Sequence, residues 1–302
     1  MEKGASNKVI AIATCAAALA SIGGYVWHAS IRPPVLEIYV FDTPGAPSVL
    51  VRTPDDRRIL IDGGSNGSVV RGLTEALPFY SRRIDAVVLT SADAAHAAGL
   101  VGVTERYAVG AALVPSLDPV SLGLASSTDP ACQALFSALA AKGTPVKPVS
   151  AGQTIDLGGS VAMDALFPAP AESFAYSRAS PPMMLVAIRY GRTSAILGGS
   201  ASVKIQKSVA SRLAPADVLI VSTSALASNL AREFLSAAAP RFLVYARPVG
   251  KNGGKAGAAG EKHEADPLAG FMEDHRFDIR EGGTVRIVSD GSSVRAEKIG
   301  PI

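Results

Sequence analysis

The segment DAVVLTSADAAH, residues 85–96, joins an apolar run to an alanine-rich segment through a polar turn. Residues 86–90 form a short, mainly apolar run with β-branched side chains, which indicates a short buried strand. Residues 94–108 have the composition and length of a helix. The turn between the two elements therefore places polar side chains, among them Asp93 and His96, at the end of a strand.

Strands and helices alternate on both sides of this segment. The run RILIDGG, residues 58–64, predicts a strand that ends at Asp62 in a glycine turn. Later segments predict hairpins with glycine turns, and the whole mixture predicts an α/β body with helices outside two layered sheets. Predicted strands cover residues 35–41, 48–52, 58–61, 86–90, 112–115, 154–157, 161–167, 185–190, 194–197, 218–222, 242–246, 277–279, 284–289 and 293–298. Predicted helices cover residues 69–77, 94–108, 129–142, 203–213 and 229–238.

The composition is that of a chain that can bury a large core. The 302 residues are 48% hydrophobic and 18% charged, which excludes a mostly disordered protein. Lys and Arg number 29 against 26 Asp and Glu, and the net charge of +3 is too small to argue for nucleic-acid binding by itself. The two cysteines, Cys15 and Cys132, exclude a disulfide framework and a thiolate zinc cluster. A histidine-rich metal site is also difficult, because the chain has only His28, His96, His263 and His275.

The N-terminal residues have the features of a membrane signal. Residues 9–27 are uncharged, and their number matches the roughly 20 residues that cross a bilayer as a helix. We therefore predict a flank over residues 1–8, a transmembrane anchor or signal segment over residues 9–28 and a linker over residues 29–35. Two lysines before the run and one arginine after it favour a single-pass protein of the cell membrane with an extracytoplasmic body. Small residues at 18–20 are typical of a cleavage site, so the alternative is a cleaved signal peptide and a secreted or periplasmic body.

Seven segments of the body carry a family resemblance in their order and spacing: residues 38–52, 58–64, 83–90, 215–219, 233–235, 240–242 and 283–291. Together they resemble the metallo-β-lactamase fold. More closely, they resemble the extracytoplasmic C-terminal domain of the ComEC family of DNA-uptake (competence) membrane proteins. The resemblance implies an αββα four-layer sandwich over residues 36–302, preceded by the membrane segment. It also implies DNA handling at the cell envelope, with single-stranded DNA or competence-type membrane proteins as partners.

The metal motif of that family is degenerate in this sequence. The family has Thr-His-x-His-x-Asp-His after the strand, and these side chains bind metal ions that activate water. Thr90 and His96 are retained, but Ser91 and Asp93 replace the first two histidines. Ala95 replaces the aspartate and can neither bind a metal nor move a proton. The family's later ligand positions align with residues that carry no imidazole: Ser200, Thr223 and Ser224.

The motif leaves three hypotheses open. In the first, the body has no cofactor and no catalytic residues and acts as a binding or assembly module. In the second, Asp62, Asp93 and His96 hold a single zinc or manganese ion and form the rebuilt site of a phosphodiesterase or nuclease. In the third, the protein is a structural component of the envelope.

Two local predictions accompany these hypotheses. Asp is a preferred N-cap residue, so Asp93 is interpreted as the cap of the following helix and His96 as a polar residue at its start. Residues 247–267 are rich in Gly and Lys without an apolar period, which is typical of a flexible, solvated loop. The loop is basic, but it has no aromatic side chains on which nucleic-acid bases could stack.

Overall fold

The structure is a computed structural model. It describes residues 34–116, 129–168, 182–199, 201–222, 230–246, 272–281 and 283–300, together with residues 14, 16, 17, 19–21, 23 and 24. The chain divides into two compact units, residues 1–34 and residues 35–302.

The first unit is described only in part. Its described residues between 14 and 24 are helical. Among all described residues, no helix is long and apolar enough to cross a membrane. Most of the predicted membrane segment, residues 9–28, lies outside the described residues.

The second unit is built from strands and a smaller number of helices. The described strands are β1 (Leu36–Phe41), β2 (Ser48–Arg52), β3 (Arg58–Ile61), β4 (Arg83–Ile84), β5 (Ala86–Val88), β6 (Ala108–Val109), β7 (Ala112–Pro115), β8 (Val146–Val149), β9 (Thr154–Gly158), β10 (Val161–Phe167), β11 (Leu185–Tyr190), β12 (Thr193–Gly199), β13 (Val218–Val221), β14 (Phe242–Tyr245), β15 (Arg276–Asp278), β16 (Thr284–Ser289) and β17 (Val294–Ile299). The described α-helices are α1 (Ser68–Ala76), α2 (Ala94–Arg106), α3 (Pro130–Ala141), α4 (Val203–Ala210) and α5 (Arg232–Ala238).

Two large mixed sheets contain most of these strands. The first has the order β17-β16-β1-β2-β3-β5-β7-β8, and the second has the order β15-β14-β13-β12-β11-β10-β9. In the first sheet the pairs from β17 to β3 are antiparallel and those from β3 to β8 are parallel. The second sheet repeats this arrangement, with antiparallel pairs from β9 to β12 and parallel pairs from β12 to β15. The short strands β4 and β6 form a separate parallel pair.

Three apolar clusters define the layers of this unit. The largest cluster contains buried side chains of both sheets and therefore lies between them. A second cluster joins the first sheet to α1, α2 and α3, and a third joins the second sheet to α4 and α5. Strand β3 illustrates the period-2 pattern behind this division, because Ile59 and Ile61 belong to the inter-sheet cluster and Leu60 to the helix-side cluster. The predicted αββα arrangement is confirmed for the described residues.

The structure differs from the predicted elements in a few places. Strand β8 was not predicted, because its sequence Val-Lys-Pro-Val alternates poorly and contains a proline. Its position explains that composition, since β8 is an edge strand, where Lys and Pro discourage pairing with other chains. Helix α4 ends at Ala210 and not at residue 213, and residues 230 and 231 are not helical. The predicted basic loop, residues 247–267, lies outside the described residues.

Candidate functional site

The carboxyl ends of β3 and β5 meet at one edge of the first sheet, because these two strands are parallel neighbours. Asp62 directly follows β3, and its amide donates to the carbonyl oxygen of Val88 at 2.9 Å. The Asp62 carboxylate accepts two hydrogen bonds from Thr90, one from its amide at 2.8 Å and one from its hydroxyl at 2.5 Å. Asp62 has a φ of 58°, in the left-handed region that Asp adopts more readily than most residues. Its side chain therefore ties the two strand ends together.

The glycine turn after Asp62 allows helix α2 to lie close to the sheet. Gly63 donates its amide to the carbonyl oxygen of His96 at 2.8 Å, and Gly99 donates to that of Gly64 at 3.0 Å. A Cβ atom on Gly99 would lie 1.9 Å from the carbonyl oxygen of Gly63, so no side chain fits there. These contacts fix the first turns of α2, and with them the His96 side chain, beside Asp62.

A hydrogen-bonded group joins Ser91 and Asp93 of the polar turn to His96 in the first turn of α2. The Asp93 carboxylate accepts from the Ser91 hydroxyl at 2.7 Å and from His96 Nδ1 at 2.7 Å. The aspartate thus lies between the serine and the histidine. The serine hydroxyl is bound to a carboxylate and not to an imidazole, so the group lacks the order of a nucleophilic triad.

The interpretation of Asp93 as a helix cap needs correction. Asp93 does occupy the N-cap position of α2, as predicted. Its carboxylate, however, binds Ser91 and His96, and the amide of Ala94 donates to Asp129 at 3.1 Å. The Asp129 carboxylate also accepts from two amides at the start of α3, so one side chain serves two helix starts. His96 lies in the first turn of α2 as predicted, but it is only 2% exposed.

Burial and mutual charge set the protonation of the three ionisable side chains. Burial raises the pKa of Asp62 to about 6, against the opposing effects of the His96 charge and the Thr90 hydrogen bonds. Burial by itself lowers the pKa of His96, but the charge of Asp62 and the hydrogen bond to Asp93 outweigh it and raise that pKa above its usual value. Burial also acts to raise the pKa of Asp93, yet the hydrogen bond and charge of His96 hold it below its usual value. The arrangement favours an imidazolium ion held by two carboxylates.

The second sheet closes the site from the opposite side. Ser222, which follows β13, lines the same cavity as Asp62, Thr90 and His96. Within the described residues this cavity has a volume of about 20 Å³, which is room for one water molecule. Most of its remaining wall is apolar and consists of Ala46, Pro47, Val49, Leu197, Ile220 and Val221. Sequence reasoning missed these residues, because their apolar patterns indicate only core strands and turns.

Residues 182–184 lie across the polar turn. Ala92 donates its amide to the carbonyl oxygen of Pro182 at 2.9 Å, and Ser91 forms an antiparallel bridge with Met183. Ser91 is 2% exposed and Met183 is 8% exposed. This side of the turn is therefore covered by protein, a feature that no pattern in the sequence of residues 182–184 indicates.

The structure brings the first part of the predicted site together. The five side chains that share this site are Thr90, Ser91, Asp93, His96 and Asp62. Ala95 contributes its backbone, whose carbonyl oxygen accepts from the Ala46 amide at 3.2 Å. The predicted positions Ser200, Thr223 and Ser224 lie outside the described residues.

The described side chains do not fit the metal centre that the family resemblance implies. Zinc needs three or four nitrogen, oxygen or sulfur ligands directed at one point. Both carboxylate oxygens of Asp62 instead accept from Thr90. Both oxygens of Asp93 accept from Ser91 and His96. In the described part of the chain, no group of three or more His, Cys, Asp or Glu side chains is arranged to hold a metal ion.

Comparison with known proteins gives one family match. The profile described as Metallo-beta-lactamase superfamily matches residues 42–170. No curated protein sequence matches the chain.

Similar solved structures share little sequence with this chain. A mutant of CmlA beta-hydroxylase is 20% identical, with a TM-score of 0.46, and the match covers 70% of this chain but only 45% of the hydroxylase. The metallo-beta-lactamase fold protein YhfI from Bacillus subtilis is 14% identical, with a TM-score of 0.44, and the match covers 70% of this chain and 85% of YhfI. Zn(2+)-bound PqqB from Methylobacterium extorquens is 16% identical, with a TM-score of 0.42 and coverage of 61% and 72%. Since residues 42–170 match the family profile and the sheets and helices form αββα layers, the chain has the fold of the metallo-β-lactamase superfamily.

Proposed function

We propose that this chain is a membrane-anchored, exported protein of metallo-β-lactamase fold that acts without catalysis, as a binding or assembly module. The observation that carries the proposal is the hydrogen-bonded polar site formed by Asp62, Thr90, Ser91, Asp93 and His96. Its side chains bind one another, and the cavity of about 20 Å³ beside them has room for one water molecule.

A hydrolase would need space and ligands that the described residues around Asp62 and His96 do not offer. A catalytic metal keeps one coordination position open for water or substrate. Small-molecule sites usually have volumes of about 300 Å³ or more. Ala95, in the place of the family's aspartate, has no group that could assist a water molecule. These features favour a module over a phosphodiesterase rebuilt on Asp62, Asp93 and His96.

The resemblance to ComEC proteins directs the proposal to DNA uptake. We propose that the module works at the outer face of the cell membrane with single-stranded DNA or competence-type membrane proteins. The uncharged run of residues 9–27 and the basic residues before it support the anchor. The competing proposal is a structural envelope protein without a DNA partner.

Metal analysis of the purified full-length protein tests the absence of catalysis. After dialysis, we expect zinc and manganese well below one ion per chain and no phosphodiesterase activity. His96→Ala should change neither result, and His275→Ala is the matched control because His275 lies outside the site. Stoichiometric metal and phosphodiesterase activity that are lost in His96→Ala, but kept in His275→Ala, would contradict the proposal.

The same preparation tests the DNA-linked part of the proposal. We expect binding to single-stranded DNA whose affinity falls steeply as the salt concentration rises, because phosphate contacts release counterions. Absent or salt-independent binding would favour the structural envelope protein, whatever the metal content.

A further inference from the structure

Two aromatic side chains stand in solvent at the tip of the turn that follows α1. The amide of Ser81 donates to the carbonyl oxygen of Pro78 at 2.8 Å, which places Phe79 and Tyr80 at the two central positions of a β-turn. Phe79 is 87% exposed and Tyr80 is 71% exposed. Such positions are usually taken by Gly, Asn, Asp or Ser, because large rings gain nothing there from the core. Two exposed rings at one tip therefore indicate a contact with something outside the described chain.

The base of this turn is firmly held. Leu77 on one side is 5% exposed, and Ile84 on the other side is fully buried. The Ser81 hydroxyl accepts a hydrogen bond from Arg58 Nη1 at 2.5 Å. The two rings pack edge to face, with their centroids 5.5 Å apart. The aromatic pair is thus presented outward on a fixed base.

Exposed arginines surround the same base. Arg82 and Arg106 are both exposed, and the Ala108 amide donates to the Arg82 carbonyl oxygen at 2.8 Å, which joins their two segments. Both guanidinium groups lie close enough to Tyr107 to oppose the effect of burial, which raises the pKa of that tyrosine. No carboxylate of the described residues forms an ion pair with Arg82 or Arg106. The neighbouring Arg83 is also exposed, but it pairs with a carboxylate.

We propose that the aromatic–arginine tip, defined as Phe79, Tyr80, Arg82 and Arg106, docks the body of the protein on the surface of an anionic phospholipid bilayer. Aromatic rings are favoured at the membrane–water interface, where Phe loses contact with water and Tyr keeps its hydroxyl at the polar level. Guanidinium groups without carboxylate partners are attracted to lipid phosphates at the same depth. Both rings stand exposed at the tip of a turn, which suits insertion between headgroups.

A single-stranded nucleic acid is the other partner with this chemistry. Such strands are usually bound in a positively charged groove, with bases stacked on the faces of aromatic rings. The tip presents a turn instead of a groove, and the edge-to-face packing directs the edge of one ring at the face of the other. The geometry therefore favours a lipid surface, and this inference does not depend on the metal content of the Asp62–His96 site.

Tryptophan fluorescence of the full-length protein in lipid vesicles tests the proposal. Trp27 is the only tryptophan, so Trp27→Phe removes the background and Phe79→Trp then reports on the tip. Lipid with a spin label at its headgroup should quench the tryptophan fluorescence of the Phe79→Trp variant in vesicles of phosphatidylcholine with phosphatidylglycerol. The quenching should be far weaker in vesicles of phosphatidylcholine alone. Raising the salt from about 0.1 M to about 1 M should reduce the quenching, because screening shortens the range of the attraction.

Two matched variants sharpen this experiment. Met272→Trp, in the same Trp27→Phe background, replaces another exposed apolar side chain. The fluorescence of this variant should be quenched only weakly in both kinds of vesicle. Combined Arg82→Gln and Arg106→Gln should lower the ratio of docked to undocked chains roughly thirtyfold, from the usual contribution of two arginines near an anionic surface. The proposal would be overturned by equal quenching at positions 79 and 272, or by quenching that is the same with and without phosphatidylglycerol. Quenching at position 79 by single-stranded DNA but not by lipid would assign the tip to nucleic acid and overturn it as well.

Discussion

Asp62 is almost completely removed from water, yet its carboxylate is bound on both oxygens by a single neighbour, Thr90. The second carboxylate, Asp93, binds Ser91 of the polar turn and His96 of the following helix. Because buried polar groups are costly unless they are hydrogen-bonded, these contacts stabilise the turn only as a complete set. At the scale of single residues, the site is a small hydrogen-bonded network in which two carboxylates raise the pKa of His96.

The free energy of unfolding should fall as the pH rises from 3.8 through about 6, and should continue to fall as the pH rises above 6.5. The folded-state pKa of His96 is raised above 6.5, so the stability it contributes is fully present below pH 6.5 and is lost as the pH rises through the folded value. Asp62 also lowers the stability as the pH rises. Its folded pKa of about 6 exceeds the ordinary 3.8, so the stability contributed by its protonated form is lost as the pH rises through about 6. Asp93 has a lowered pKa, so the stability it contributes is lost only as the pH falls below 3.8. Urea unfolding at a series of pH values measures this slope.

The control for this pH dependence is His96→Gln. Its side-chain amide can donate to Asp93 but carries no titrating proton. We expect a flatter profile above pH 6.5 in this variant than in the unaltered protein. Identical slopes in the two proteins would mean that His96 is not the group responsible.

At the scale of elements, the position of α2 depends on two glycines in contact. Gly63 lies in the turn after β3, and Gly99 faces it from the second turn of the helix. Their backbones meet directly, which leaves no space for a methyl group. The helix thereby holds the polar turn, and the side chain of His96, against the ends of β3 and β5.

Gly99→Ala should destabilise the protein by about 3 kcal/mol, because its Cβ atom would lie 1.9 Å from the Gly63 carbonyl oxygen and the helix would have to move. Gly102→Ala is the matched control in the same helix, since its nearest neighbour is a Val70 methyl group at 3.8 Å. We expect that control to stabilise the protein by up to about 1 kcal/mol, from helix propensity. Urea unfolding followed by circular dichroism measures both. Equal effects of the two substitutions would show that the close approach is not required.

At the scale of the whole second unit, one apolar cluster takes side chains from both sheets. Ile188 of β11 lies in it and is fully buried, as is Val40 of β1. The sheets therefore cannot separate without exposing a shared core, and each sheet has a helix layer on its other face. The site lies where both sheets contribute strand ends, so its geometry depends on this packing.

Ile188→Ala should lower the free energy of unfolding by about 2–5 kcal/mol and leave one cooperative transition. The physical reason is that the cavity created by the substitution belongs to both sheets. Far-ultraviolet circular dichroism and tyrosine fluorescence should give the same midpoint, and Ile188→Val should cost only about 1 kcal/mol. Two separate transitions, one of them unaffected by the substitution, would contradict a shared core.

The local sequence determined most of the elements of this fold. The predicted bounds of β2, β3, β7, β10, β11 and β16 are those of the structure. Alternation of apolar and polar residues and the placement of glycine turns depend on neighbours within a few positions, so they can be read from the chain itself. The sequence also grouped Asp62, Thr90, Ser91, Asp93 and His96 in one candidate site, through the resemblance of these positions to the family's metal motif.

The interactions of those side chains depend on tertiary contacts. The tertiary structure paired Asp93 with His96 and Ser91, and it assigned the capping of α2 to the distant Asp129. It laid residues 182–184 across the turn and reduced the cavity to the size of one water molecule. These outcomes depend on contacts between segments far apart in the chain, whose distances are set by the packing of the two sheets and not by any local pattern.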